Sequence, residues 1–161
     1  MQFFIEQIAI CPPDREAAMD LMKAIGAQDW VNDSVRAKGT VYGEEGSNAA
    51  HLAFNYDLRH PEKLEFEVLN YVIGPNWMEG KAPAVSHLGM HCTAEELKEW
   101  KDFFYLRGID IAQEVKTHFH KNPFLIDNGR KFHYCIFNTR PVLGVDLKFI
   151  VRIEKNESSD N

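Results

Sequence analysis

Four side chains of different chemistry, the Gln7 amide, the Glu67 carboxylate, the His87 imidazole and the Lys148 ammonium, stand at related places in a chain of 161 residues. A carboxylate beside an imidazole can accept and return protons, and an ammonium can hold negative charge developing on oxygen. His91, His133, His51, Glu65 and Asp146 are further donors and acceptors that the same elements could bring close. Whether these groups meet depends on the strands that carry them.

Those strands are written twice. Gln7-Ile8-Ala9-Ile10-Cys11 runs into a helix and recurs as His87-Leu88-Gly89-Met90-His91, while Glu65-Phe66-Glu67-Val68-Leu69 recurs as Asp146-Leu147-Lys148-Phe149-Ile150. The offsets are 80 for 7 and 87, 81 for 67 and 148, and 82 for the helix-ending glycines 26 and 108. A near-constant offset marks a duplication.

Each copy reads as strand, helix and three strands. In the first, Pro12-Pro13-Asp14 opens a helix in which Ala18, Leu21, Met22 and Ile25 fall at i, i+3, i+4 and i+7. Strands are expected near 35–43, 50–56 and 63–73, broken by Gly43-Glu44-Glu45-Gly46 and Arg59-His60-Pro61-Glu62. Breaker-rich sequence from Gly74 to Pro83 separates the copies. In the second, Thr93 and Glu96 form a capping box ahead of a helix whose buried stripe is Leu97, Trp100 and Phe104. Strands then follow near 110–119, 131–137 and 144–153.

The expected fold class is α+β. Two tandem βαβββ modules, 3–74 and 85–153, form one domain with a pseudo-symmetric curved sheet around a shared cleft, helices on its outer face, and a flexible tail at 154–161. Strand side chains alternate, so Gln7, Ala9 and Cys11 share one face and His87, Gly89 and His91 another. Closing these faces on each other collects Gln7, Glu67, His87 and Lys148 in the cleft, with His91, His133, His51, Glu65 and Asp146 as neighbours.

Blander roles compete at several of these positions. Histidines on strands are more often hydrogen-bonded core residues than ligands. His118 and His120 read as a solvated strand end, His60 as part of a turn, Cys11 as an inert buried thiol, and Trp30, Tyr71 and Trp77 as packing residues. The segment Lys121 to Lys131 reads as a lid or a long hairpin connection.

Composition excludes some classes. A net charge of −6 without a basic run gives no cationic face for nucleic acid, and no apolar run reaches membrane-spanning length. The Met1 to Glu6 segment is too short and acidic for a signal sequence, and three cysteines, Cys11, Cys92 and Cys135, do not form a disulfide framework. The expected location is the cytoplasm.

The duplicated topology, the strand-helix openings at Gln7 and His87 and the Glu67 strand resemble the vicinal oxygen chelate superfamily of glyoxalase I, extradiol dioxygenases and bleomycin-sequestering proteins, over residues 3–153. The resemblance implies a divalent metal (Zn, Ni, Fe or Mn) held by Gln7, Glu67 and His87, a small-molecule ligand contacted by His91, His51 and Asp146, proton transfer by Lys148 or His133, and a homodimer. At the usual fourth-ligand place this chain has Lys148, and before it the compact turn of the superfamily is replaced by Asn138 to Gly144. At an effective dielectric near 20, like unit charges about 4 Å apart repel by about 4 kcal/mol, and a divalent ion roughly doubles this. A Glu67–Lys148 ion pair would instead neutralise the site without metal. Three functions follow: a metalloenzyme acting on a vicinal-oxygen substrate, a metal-free binding or sequestering protein, and a structural protein with a degenerate site.

Overall fold

The structure is a computed structural model and describes residues 1–27, 30–55, 64–73, 86–120 and 131–153. The first copy comprises β1 (Gln7–Ile10), α1 (Arg15–Ala24), β2 (Trp30–Val41), β3 (Glu44–Asn55) and β4 (Glu65–Ile73). The second comprises β5 (His87–His91), α2 (Ala94–Tyr105), β6 (Ile111–His120), β7 (Lys131–Phe137), a one-turn helix α3 (Arg140–Leu143) and β8 (Asp146–Ile153). The expected strand-helix-strand-strand-strand order is therefore present twice. The departure noted from Asn138 to Gly144 is the α3 turn, ended by Gly144 at φ 76°, where a side chain would be strained.

Hydrogen-bonded neighbours run β1-β4-β3-β2-β6-β7-β8-β5 in one curved sheet, and β5 returns to β1. Within each copy the first and last strands are parallel, Ala9 opposite Glu67 and Gly89 opposite Lys148. The copies meet through antiparallel β1 and β5, where Gln7 faces Gly89 and His87 faces Ala9 about a centre at Ile8 and Leu88. That register brings the two openings side by side. The copies also pair through β2 and β6, with a shift in register between Lys38 and Gly39.

The helices lie against the outer face. Phe149 is fully buried beneath α2, its ring 4.8 Å from Trp100 and 5.5 Å from Phe137 between centroids. Leu97, Trp100 and Phe104 are buried in this cluster as the stripe requires, and the Thr93–Glu96 capping box is formed in both directions. Under α1 the core is Met19 with Ala53 and Val68.

The stripe expected on α1 is turned. Leu21 and Ile25 are 63% and 70% exposed, and Met19 is buried with Ala18 and Met22 beside it. Arg15, at the start of the helix, is largely covered, and its guanidinium reaches Asn32 Oδ1 at 2.8 Å. Among the described residues no helix is long and apolar enough to cross a membrane.

Candidate functional site

The inner face of the sheet carries a small apolar group, Ala9, Cys11 and Leu69, and next to it the polar side chains of β1, β4, β5 and β8. Gln7, Glu67 and His87 are all buried. Gln7 Nε2 donates a short hydrogen bond to Glu65 Oε1, which turns the amide oxygen inward. That oxygen lies 3.1 Å from His87 Nε2 and 3.3 Å from Lys148 Nζ. Since an amide oxygen only accepts, His87 donates there from Nε2–H and Lys148 from its ammonium. One acceptor from the first copy thus ties together two donors from the second.

Glu67 completes the group. Its Oε2 is 3.6 Å from His87 Nε2 and 3.9 Å from Lys148 Nζ, just beyond hydrogen-bond reach, and this buried oxygen has no hydrogen-bond partner. Burial pushes the Glu67 carboxyl up, but the Lys148 charge and the neighbouring His87 outweigh it and hold the group below its ordinary value. Tyr134 lies beneath Lys148, with Nζ 4.9 Å from the ring centre, and its phenol is pushed well up by burial and by Glu67. Tyr134 was not among the expected site residues. On β7, both faces of Phe132-His133-Tyr134-Cys135-Ile136-Phe137 read as apolar strand, so alternation alone gives no inward side.

The expected centre of the site is therefore assembled, but several neighbours are elsewhere. His133 faces the other way: it pairs with Val151, which packs under α2, and its Nε2 lies 2.6 Å from Glu114 Oε1. Its assignment as a proton carrier beside Lys148 is corrected. His91 ends β5 with its ring exposed and its Nδ1 3.1 Å from Glu6 Oε2, outside the cluster. Asp146 is fully buried opposite His87, but its carboxylate accepts from Arg140, 3.2 Å from the backbone nitrogen and 3.1 Å from the guanidinium. These bonds tie it to α3. His51 pairs by backbone with Ser34 and Asn70, and its side chain lies outside the described residues. So do the side chains of Tyr71, His118 and His120, and the whole of His60, Trp77, the Lys121–Arg130 segment, the junction and the tail. Trp30 packs edge-on against Phe66, as a core residue.

Whether a divalent ion fits can be tested on the donors. Ligands bonded at 2.0–2.2 Å sit roughly 3.0–3.6 Å apart, and the Gln7–His87 and His87–Glu67 separations are 3.1 and 3.6 Å. The spacing suits an ion, and the partnerless Glu67 oxygen faces the same spot. Lys148 does not suit one. Its ammonium is already among the three donors, its side chain is 12% exposed, and Tyr134 lies beneath it. As arranged, the site holds one positive charge on nitrogen where the ion would be.

A different group, Glu114, His133 and Cys135, places one ligand atom from each residue within 4.8 Å of the others on the α2 side of the sheet.

No protein-family profile and no curated protein matches the sequence. Among solved structures, a hypothetical protein from Bacillus halodurans C-125 aligns with a TM-score of 0.46 and 11% identity over 98% of each chain. Methylmalonyl-CoA epimerase aligns with a TM-score of 0.46 and 11% identity over 93% of this chain and 95% of its own. Independently of these likenesses, the strand pairings give the chain a tandem βαβββ fold, its copies joined through β1 and β5.

Proposed function

We propose that the protein binds a small oxygen-bearing molecule on the inner face of its sheet, and that Lys148 rather than a metal ion supplies the positive charge there. The observation that carries this reading is the position of Lys148 Nζ, 3.3 Å from Gln7 Oε1 and 3.9 Å from Glu67 Oε2. A ligand carbonyl or carboxylate would replace the Gln7 oxygen as acceptor for the ammonium and for His87 Nε2–H. Glu67, held ionised, would stand beside it as a proton acceptor. A carbonyl polarised by Lys148 next to a carboxylate base is a set able to move a proton on the adjacent carbon. His133, on the other face, takes no part.

Metal analysis of the purified protein tests this. The expected result is a divalent-metal content that Glu67→Ala leaves unchanged and a gain of divalent-ion affinity in Lys148→Glu, which supplies a fourth donor and removes the ammonium. Stoichiometric metal in the wild type, lost in Glu67→Ala, would overturn it.

The metal-dependent reading keeps two observations in its favour, the spacing of the Gln7, His87 and Glu67 donors and the buried Glu67 oxygen without a hydrogen-bond partner. On that reading Gln7, Glu67 and His87 hold the ion once Lys148 withdraws, and the ion supplies Lewis-acid polarisation of the substrate oxygen.

A further inference from the structure

We infer that Glu114, His133 and Cys135 form a second cation site, selective for a thiophilic divalent ion of the zinc class, in which the ion exchanges with the Lys101 ammonium. The site does not depend on the inner-face proposal and shares no residue with it. It is built from two neighbouring strands. Glu114 on β6 and Cys135 on β7 are direct cross-strand partners, so their side chains leave the sheet on the same side. His133 is two residues along β7 from Cys135 and therefore projects to that side as well.

The donor atoms already lie within 4.8 Å of one another. Around zinc, with bonds near 2.0–2.3 Å, nitrogen, oxygen and sulfur ligands stand roughly 3.3–3.7 Å apart, so small side-chain rotations close the set. A thiol, an imidazole and a carboxylate are also the donors a borderline-soft ion prefers, with the fourth position left to water. Cys135 is fully buried at the floor of the group, whereas His133 and Glu114 are partly exposed and leave a way in from solvent.

A cation occupies this spot in the structure. Lys101 of α2 places Nζ 2.8 Å from Glu114 Oε1. Lys116 stands 3.6 Å from the same carboxylate. The group thus attracts positive charge, and the question is which cation holds it. Lys101 differs from Lys148 in being able to leave: its side chain is 30% exposed, on a helix whose polar face is solvated. A divalent ion brings twice the charge to Glu114 and adds bonds to sulfur and nitrogen. On binding, the Cys135 thiol proton passes to solvent and Lys101 swings outward with its charge.

Cobalt(II) is a suitable probe, because a thiolate ligand gives a sulfur-to-cobalt charge-transfer absorption in the near ultraviolet and an oxygen–nitrogen set does not. The full-length protein, treated with chelator and titrated with cobalt(II), is expected to show that absorption at one ion per chain. Glu67→Gln should retain it, since Gln7, Glu67 and His87 contain no sulfur, and Cys135→Ser should lose it. Lys101→Met removes the competing cation without touching a ligand and should bind cobalt about tenfold more tightly, a change of about 1.4 kcal/mol. His133→Gln, with its fold confirmed by circular dichroism, should bind at least tenfold more weakly and stands in if Cys135→Ser fails to fold. The inference is overturned if neither the wild type nor Lys101→Met shows the absorption, or if the absorption survives Cys135→Ser or is unchanged in His133→Gln.

Discussion

Lys148 Nζ lies 3.9 Å from Glu67 Oε2, the first on β8 and the second on β4, with both side chains nearly removed from water. Each charge is tolerable there because the other is present. Lys148→Met leaves a buried carboxylate with only His87 beside it, and the expected loss in urea-denaturation stability is about 3 kcal/mol or more. Adding Glu67→Gln removes the stranded charge, so the double variant should recover a large part of that loss.

The same pair sets an acid limit. Glu67 is held below its ordinary 4.5 because Lys148 and His87 outweigh burial, so it is a stabilising group whose contribution is full above that pH. The contribution falls away as the pH drops through the lower folded value. In Lys148→Met the burial that raises the carboxyl loses its main opponent, and the acid-unfolding midpoint should move to higher pH. Circular dichroism across an acid titration of the two proteins measures that displacement.

Gly39 marks where the two copies touch through β2 and β6. A Cβ at that position would lie 1.9 Å from the Glu114 carbonyl oxygen and 2.9 Å from Val115 Cα. These are backbone atoms and cannot rotate away. Gly39→Ala should therefore cost about 3 kcal/mol or more, read as a lowered denaturation midpoint, because the strands must separate locally to admit one methyl group.

Phe149 is the centre of the aromatic group under α2, in ring contact with Phe3, Trp100, Phe104 and Phe137. Phe149→Ala should destabilise by about 3–5 kcal/mol, through lost burial and the void it leaves. Thermal and chemical unfolding should show that loss.

Much of this arrangement was legible in the sequence because it is carried by short-range pattern. The capping box at Thr93 and Glu96, the Leu97-Trp100-Phe104 stripe and the inward parity of Gln7, Glu67 and His87 each follow from spacing within one element. The errors arose where spacing leaves two answers. On α1 the buried face runs through Met19, packed on Ala53 and Val68, and leaves Leu21 and Ile25 exposed, because the apolar residues of the helix fit more than one stripe. β7 is apolar on both faces, so His133 could be matched to His51 by offset, while its cross-strand partner Val151 settles the side it faces. The proximity of Glu114 to Cys135 is a matter of register between β6 and β7, which includes a shift between Ile111 and Gln113 and leaves no local trace in the chain.

The symmetric contact of β1 with β5 joins copies that have become electrically unlike at equivalent places, acid at Glu67 and base at Lys148. Two first halves placed together in that way would set one buried carboxylate against another, and two second halves would oppose ammonium to ammonium. Self-association of either half is thereby penalised, and each is left complementary to the other.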